Sequence, residues 1–544
     1  MSPQGEWQCD GIPKNNDPSY QGSGEHEPYV NNGPFCLICG LPKEAMSAGK
    51  TKIQGSSPTS TTTVSPPPTP NSPQNKILPL VIALLGVLLL TGGGFLGYQV
   101  LTRERTPVAN SENGEADSFI SQQARNAQGI SQGEKILLNS TPTKESAAQA
   151  FAAKDWEGAI EQYEQAAQEQ AHDPESKIYL NNARARKAGN PLTLTVVIPL
   201  GSNPNAALEV LRGVGLAQEE YNQNPQLPGR LLEIAIANES SSSPTTTLAD
   251  DLIQAPSVLG VLGHGVGPET EAAIQRYASA PMPVIAPINA DVTESAGRSL
   301  LKTIPLDQGN ENLLKSYLKA LATTLTQYTQ SEVDSLAGVI FYNGDSRYGM
   351  GVQQALTTAI QLNNGRLVQA VDVAQPGFEV ETALAQAQDQ GANAIFLALS
   401  KDYLDLATEL IQANAAQNNP LTIVGGDELY SPNILVNSGE AVAGLVLAVP
   451  WSFQSADSFS QKAYQMWKGR VSWRTAAAYD ATQALISAVV ANPNRVAIQQ
   501  KLEQGVMIVG TNTDFSIFQA VPLVIAVEGP QGPPGSNYQF DPLP

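Results

Sequence analysis

From Leu192 to about residue 528 the sequence alternates short apolar runs with stretches at helical spacing. LTLTVVIP (Leu192–Pro199) is β-branched and unbroken by charge, the pattern of a strand buried on both faces of a parallel sheet. AALEVLRGVGLAQEEYN (Ala206–Asn222) follows at helical spacing. Leu231–Ala237, Val258–Gly263 and Met282–Pro287 continue the strands of a first half, and Leu336–Tyr342, Leu367–Val373, Ala394–Leu399 and Leu421–Val424 those of a second. Alternation of this kind implies right-handed βαβ crossovers with helices on both faces of each sheet. Two such sheets exceed one core. The expected fold class is therefore α/β with two doubly wound parallel sheets, two lobes and a hinge. Small ligands bind such sheets just beyond the carboxyl ends of the strands. FYNGDSRYGMG (Phe341–Gly351) and VGGDEL (Val424–Leu429) lie at two of those ends, one bringing Tyr348 and the other Asp427.

The 544 residues hold 31 Lys+Arg against 51 Asp+Glu, a net charge of −20. That balance excludes nucleic acid or an anionic lipid surface as the main partner, since both need basic patches. All three cysteines, Cys9, Cys36 and Cys39, lie in the first forty positions, so no disulfide holds the large domain together. Residues 47–76 are Ser/Thr/Pro-rich and read as an extended linker. Ile77–Val100 carries no charge and, at about 1.5 Å per residue, is long enough as a helix to cross a bilayer core of about 30 Å. It begins too far from the N-terminus for an ordinary signal peptide. It is expected to be a retained single-pass anchor, its Gly93 and Gly97 forming a GxxxG. Lys76 on one side and Arg103 and Arg105 on the other weakly favour a cytoplasmic C-terminal side. Long domains translocate regardless of so small a bias, and unpaired cysteines suit a reducing compartment. The N-terminal segment is therefore placed in the cytoplasm and the large domain in the periplasm or outside the cell.

Residues 101–140 read as a polar stalk. In 141–190, KDWEGAIEQYEQAA followed by Asp173-Pro174 and a further helix is similar to one and a half tetratricopeptide repeats. A helical hairpin is expected, docking on its neighbour or a partner because so few repeats are not self-sufficient. A plain spacer is the alternative. The Pro/Gly-rich tail, residues 529–544, is expected to be irregular.

Six segments recur in one order: RGVGLAQEEYN, VLGVLGHGVGPETEAAI, MPVIAPINADVT, GDSRYGMG, AAAYDATQAL (Ala476–Leu485) and LEQGVMIVGTNTDFSIF (Leu502–Phe518). Together they resemble the type I periplasmic solute-binding proteins, the branched-chain amino-acid-binding family of ABC importers, over about 192–528. The resemblance implies lobe one at about 192–305 and 450–505, lobe two at about 306–449 and 506–528, and closure on a ligand by hinge motion. It also implies a site. Lobe one would hold an amino acid's carboxylate at Gly267 and at Ile288, Asn289 and Ala290. Gly267 and Ala290 stand where the family has a serine and a threonine, which leaves backbone N–H groups, with Thr270 and Thr293 as nearby hydroxyls. Lobe two would contribute Tyr348, Asp427 for the ammonium group, and Asp402 or its neighbour Tyr403. Asp427 could instead be a turn residue capping the next helix. His264 is read as structural: no nucleophile with an orienting acid lies near it, and the chain is not expected to be an enzyme. GVLGHGVG lacks the acid that a dinucleotide fingerprint needs.

The binding domain calls for no cofactor. In the N-terminal segment Cys36-Leu-Ile-Cys39-Gly has the spacing of a zinc knuckle, and Cys9 and His26 complete four ligands, as in half of a zinc ribbon. The expected function is capture of an amino acid or related small molecule, either for an ABC permease or for ligand sensing through the membrane helix. The alternative is a protein-binding regulator of cell-wall synthesis, resembling activators of penicillin-binding proteins.

Overall fold

The computed structural model describes residues 7–9, 12, 14, 28–31, 129–239, 244–265, 268–287, 298–299, 313–506, 508, 510–511 and 521–543. The linker, Ile77–Val100, His26, Cys36 and Cys39 lie outside the described residues. Among the described residues no helix is long and apolar enough to cross a membrane, and no cluster of His, Cys, Asp or Glu could hold a metal. The chain divides into two units, Met1–Glu115 and Ala116–Pro544. In the first, Trp7–Cys9 (β1) pairs antiparallel with Tyr29–Asn31 (β2), and Cys9 is buried.

The second unit starts with Ile130–Ser131 (β3) and three helices: Pro142–Ala152 (α1), Trp156–Glu169 (α2) and Pro174–Ala188 (α3). The expected hairpin is thus a three-helix segment. The reason lies in its caps. Thr141, Asp155 and Asp173 each accept a backbone N–H of the following turn, and Pro142 and Pro174 open α1 and α3. Gly189, at φ +80°, closes α3. These helices form a layer of lobe one. Buried Lys144 meets Glu175 at 2.6 Å and Asp173 at 2.9 Å, while Glu175 also accepts the Leu137 N–H at 2.7 Å. Arg186 reaches the buried Glu233 carboxylate in the sheet, Nη2 to Oε2 at 2.9 Å.

Lobe one continues with Leu192–Ile198 (β4), Pro204–Gln223 (α4), Leu232–Asn238 (β5), Thr245–Gln254 (α5), Val258–Gly263 (β6), Pro268–Ala278 (α6), Val284–Ala286 (β7) and Arg298–Ser299 (β8). The sheet order is β3-β5-β4-β6-β7-β8, parallel except that β3 lies antiparallel on β5. All seven residues of β4 are buried, as its charge-free sequence requires. Strand order reverses at β4 and β6, so the crevice of this lobe lies outside their carboxyl ends.

Lobe two contains Leu313–Glu332 (α7), Ala337–Tyr342 (β9), Arg347–Leu362 (α8), Arg366–Asp372 (β10), Val380–Asp389 (α9), Ala394–Ala398 (β11), Leu404–Ala415 (α10), Thr422–Gly425 (β12), Pro432–Ser438 (α11) and Val446–Ala448 (β13). The chain returns to lobe one for Ser458–Trp467 (α12), Trp473–Ala491 (α13) and Arg495–Glu503 (α14), then ends in lobe two as Leu523–Glu528 (β14) and Tyr538–Leu543 (β15). The lobe-two sheet runs β10-β9-β11-β12-β13-β14-β15 and is parallel except for β14, which lies antiparallel to both β13 and β15.

The tail is therefore not irregular. GPQGPPGSN is the turn of a hairpin whose second arm pairs from Tyr538 to Leu543 along all of β14. Phe540 is buried and stacks on Tyr430 at 5.0 Å between ring centres. Helices α4 and α13 approach closely: a Cβ on Gly213 would lie 2.3 Å from the Thr475 carbonyl oxygen, so only glycine fits.

Candidate functional site

The carboxyl end of β12 turns sharply through Gly426 into Asp427–Leu429, which brings the Asp427 carboxylate back against α7 and α8. Tyr317, on α7, donates its phenol to Asp427 Oδ1 at 2.5 Å. Tyr348, on the first turn of α8, donates to the same oxygen at 3.0 Å. The contact with Tyr348 needs glycine at 426, since a Cβ there would lie 2.1 Å from the Tyr348 hydroxyl. Asp427 is 4% exposed. Burial raises its carboxyl above the usual range, opposed by the Tyr317 hydrogen bond, the nearby Arg474 charge and the Tyr348 hydrogen bond. Both phenols are pushed well above their ordinary value, by burial first and then by the Asp427 charge. The hydroxyls therefore stay protonated and act as donors to the carboxylate. Both use Oδ1, and no side chain among the described residues donates to Oδ2.

Glu428 follows directly. Burial pushes its carboxyl up to about 7, with Asp427 adding to the rise and Arg474 and Lys401 opposing it. Arg474 lies on the first turn of α13, in lobe one, and is buried. Its Nη1 donates to the Tyr430 carbonyl of lobe two at 3.0 Å and meets Glu209 Oε2 of α4 at 3.5 Å. Its guanidinium lies 4.6 Å from the centre of the Trp473 ring.

The neighbouring strand ends are tied to each other. Asn343, after β9, accepts the Ser400 N–H at 2.9 Å and donates to the Ser400 hydroxyl at 3.1 Å. A Cβ on Gly349 would lie 2.5 Å from the Asn343 carbonyl, so the start of α8 is seated on this pair.

The structure thus brings together Tyr348 and Asp427. It does not bring Asp402 to them. The Asp402 side chain is 70% exposed and pairs with adjacent Lys401 at 2.9 Å. Tyr403 donates to Asp345 Oδ2 at 2.7 Å, and that bond pushes its hydroxyl up to about 12. Gly267, Ile288, Asn289 and Ala290 lie outside the described residues. Of the lobe-one loop after β6, Gly265 is described, and its N–H donates to Glu239 Oε1 at 2.7 Å. Thr270 points its hydroxyl at Glu239 Oε2 at 3.4 Å. His264 is fully buried at φ +68°, between Glu239 Oε2 at 3.0 Å and the Tyr277 hydroxyl at 3.2 Å. It braces the loop, and among the described residues its ring nitrogens meet only Glu239 and Tyr277.

Tyr317, Glu428 and Arg474 were not singled out by the sequence. Only Arg474 had a signal: α13 carries two charges, Arg474 and Asp480, in an otherwise uncharged helix. Asp480 is buried too and binds Thr511, through its N–H at 3.0 Å and its hydroxyl at 2.8 Å, on the last crossing between the lobes.

Comparison with known proteins places these features in context. Residues 191–518 match the family described as periplasmic binding protein. Among solved structures, an ABC transporter substrate-binding protein from Desulfitobacterium hafniense in complex with Leu is 18% identical over 65% of this chain and 100% of its own, at a TM-score of 0.48. A branched-chain amino acid transporter substrate-binding protein from Streptococcus pneumoniae in complex with isoleucine is 15% identical, with the same coverage and TM-score. A solute-binding protein of an ABC transporter from Rhodopseudomonas palustris, in complex with p-hydroxybenzoic acid, is 14% identical over 64% of this chain and 95% of its own, at 0.48. No curated protein matches the chain.

Proposed function

This chain belongs to the periplasmic binding protein family, whose members bind solutes and are not enzymes, and from that premise we propose that its second unit captures an amino acid or related small molecule between the two lobes. The observation that carries this reading is the Asp427 carboxylate. It is buried at the carboxyl edge of the lobe-two sheet, with Oδ1 fixed by two phenols and Oδ2 taking no donor from a described side chain. A buried carboxylate without enough partners is costly, and a solute N–H or ammonium group supplies the missing one. The phenols hold the acceptor in place before the solute arrives, which lowers the ordering cost of binding.

The partner is an ABC permease or, for a sensor, the module upstream of the linker. Ile77–Val100 is proposed as the anchor that holds the domain outside the cytoplasm, and Cys9, His26, Cys36 and Cys39 as ligands of one structural zinc. Metal analysis of the purified chain under reducing conditions tests the zinc: about one equivalent is expected, and none removes the idea.

A thermal-shift screen of the full chain against amino acids, amides and urea tests the binding reading. A solute that binds only the folded state raises the melting temperature. Asp427→Asn is expected to abolish the rise. An undiminished rise in that variant takes Asp427 out of the site. No rise with any compound favours the protein-binding regulator.

A further inference from the structure

Resting on the solute-binding reading above, we infer that Arg474 recognises an anionic group of the solute, so that the site selects molecules carrying a carboxylate. In the described part of the loop after β6, one of the places where a carboxylate is expected, the protein has put a carboxylate of its own. Glu239 Oε1 takes the Gly265 N–H at 2.7 Å, and Glu239 Oε2 faces the Thr270 hydroxyl at 3.4 Å. A second carboxylate brought to those donors would meet Glu239's negative charge and find the donors engaged.

Arg474 offers the opposite situation. It is buried, and its planar group has five N–H donors. Only Nη1 is engaged, with the Tyr430 carbonyl at 3.0 Å and, at the outer limit of an ion pair, Glu209 at 3.5 Å. Nε and Nη2 donate to no described residue. A guanidinium edge with two nitrogens that donate to no described residue matches the fork of a carboxylate. Arg474 also stands close enough to Asp427 and Glu428 for its charge to hold both carboxyls down against burial. Yet it forms no ion pair with either among the described residues. A solute anion on Arg474 and a donor on Asp427 Oδ2 would be held by one residue of each lobe.

The competing role for Arg474 is that of a strut between Glu209 and Tyr430. The two roles separate when the solute and Arg474 are changed in combination. Calorimetric titration of the full chain with L-amino acids and with the matching carboxamides compares solutes that differ only in the anionic group. The acids are expected to bind at least about tenfold more tightly than their carboxamides. Arg474→Gln is expected to erase that preference by weakening the acids alone, and Arg474→Lys to restore part of it. Carboxamides that bind as tightly as the acids overturn the inference and leave the solute-binding reading standing, as does a preference that survives in Arg474→Gln. Should neither series bind at millimolar concentration, the solute-binding reading fails and this inference with it. If Arg474→Gln does not fold, Arg474→Lys carries the comparison, and a preference for the acids undiminished from that of the parent overturns the inference.

Discussion

Tyr317 donates its phenol to Asp427 Oδ1 at 2.5 Å across 110 positions of sequence. The bond ties α7, the first helix of lobe two, to the end of β12 in the middle of the sheet. The direction of the Asp427 carboxylate is therefore set by the seating of a whole helix, and not by the short turn that carries it. Tyr348 adds a second restraint from α8. The acceptor is thus held by two helices of lobe two.

Gly426→Ala should disturb that acceptor by displacing one of its donors, the Tyr348 hydroxyl. Gly426 sits at φ −90°, so a side chain causes no backbone strain; its Cβ collides with the Tyr348 hydroxyl. The expected cost is about 1–3 kcal/mol in urea denaturation, with a loss of any solute-dependent rise in melting temperature. A variant as stable as the parent that still responds to solute would show that Tyr348 is free to move aside.

Lys144→Met should leave Glu175 buried with its charge uncompensated, at a cost of about 3–5 kcal/mol. Both side chains are at most 1% exposed. Adding Glu175→Gln should recover part of the loss, because a neutral amide still offers an acceptor to Leu137. Equilibrium denaturation of the three variants measures the coupling. A single substitution costing less than about 1 kcal/mol would mean that the helical layer is not fastened through this pair.

Asp480 makes stability depend on pH in a predictable direction. Burial pushes its carboxyl up to about 7, against two hydrogen bonds from Thr511. The native state then binds more protons than the unfolded state between about pH 4 and pH 7, so this group's contribution falls as pH rises through that window. Asp480→Asn removes the dependence. Relative to the parent, the variant should gain on the order of 2 kcal/mol between pH 5 and pH 8. Urea melts of both proteins at the two pH values check it, and a pH-independent difference rules the effect out.

Ending the chain at Glu528 deletes β15 and exposes the outer edge of β14. It also removes the Phe540 ring from Tyr430 and the Asp541 partner of Arg470. An unpaired edge invites pairing with other chains. A lower melting temperature and concentration-dependent self-association in size-exclusion chromatography are expected; a monodisperse truncated protein melting with the parent would contradict this.

Strands buried on both faces were legible because they are charge-free runs too short for a helix between turn residues: Val258–Gly263 occurs as expected, and Leu192–Pro199 and Ala394–Leu399 each run one residue past the observed strand. The tail misled because its nine Pro/Gly-rich positions were read as the character of the whole segment, whereas they form only the turn. Two-residue strands such as β3 and β8 leave no periodicity to read. In the site, Tyr348 and Asp427 stood out because they follow strands. Tyr317 and Arg474 did not, since their roles arise from packing between elements more than forty residues apart. Asp402 was placed beside a strand end correctly, but side-chain direction is not written in proximity along the chain.

The two residues of β3 have a mechanical consequence. They lie antiparallel along β5, at the margin of the lobe-one sheet, with the Asn238 N–H reaching back to the Gly129 carbonyl at 3.3 Å. A pull applied at Gly129 would thus fall on the β3–β5 seam, on the far side of β4 from β6.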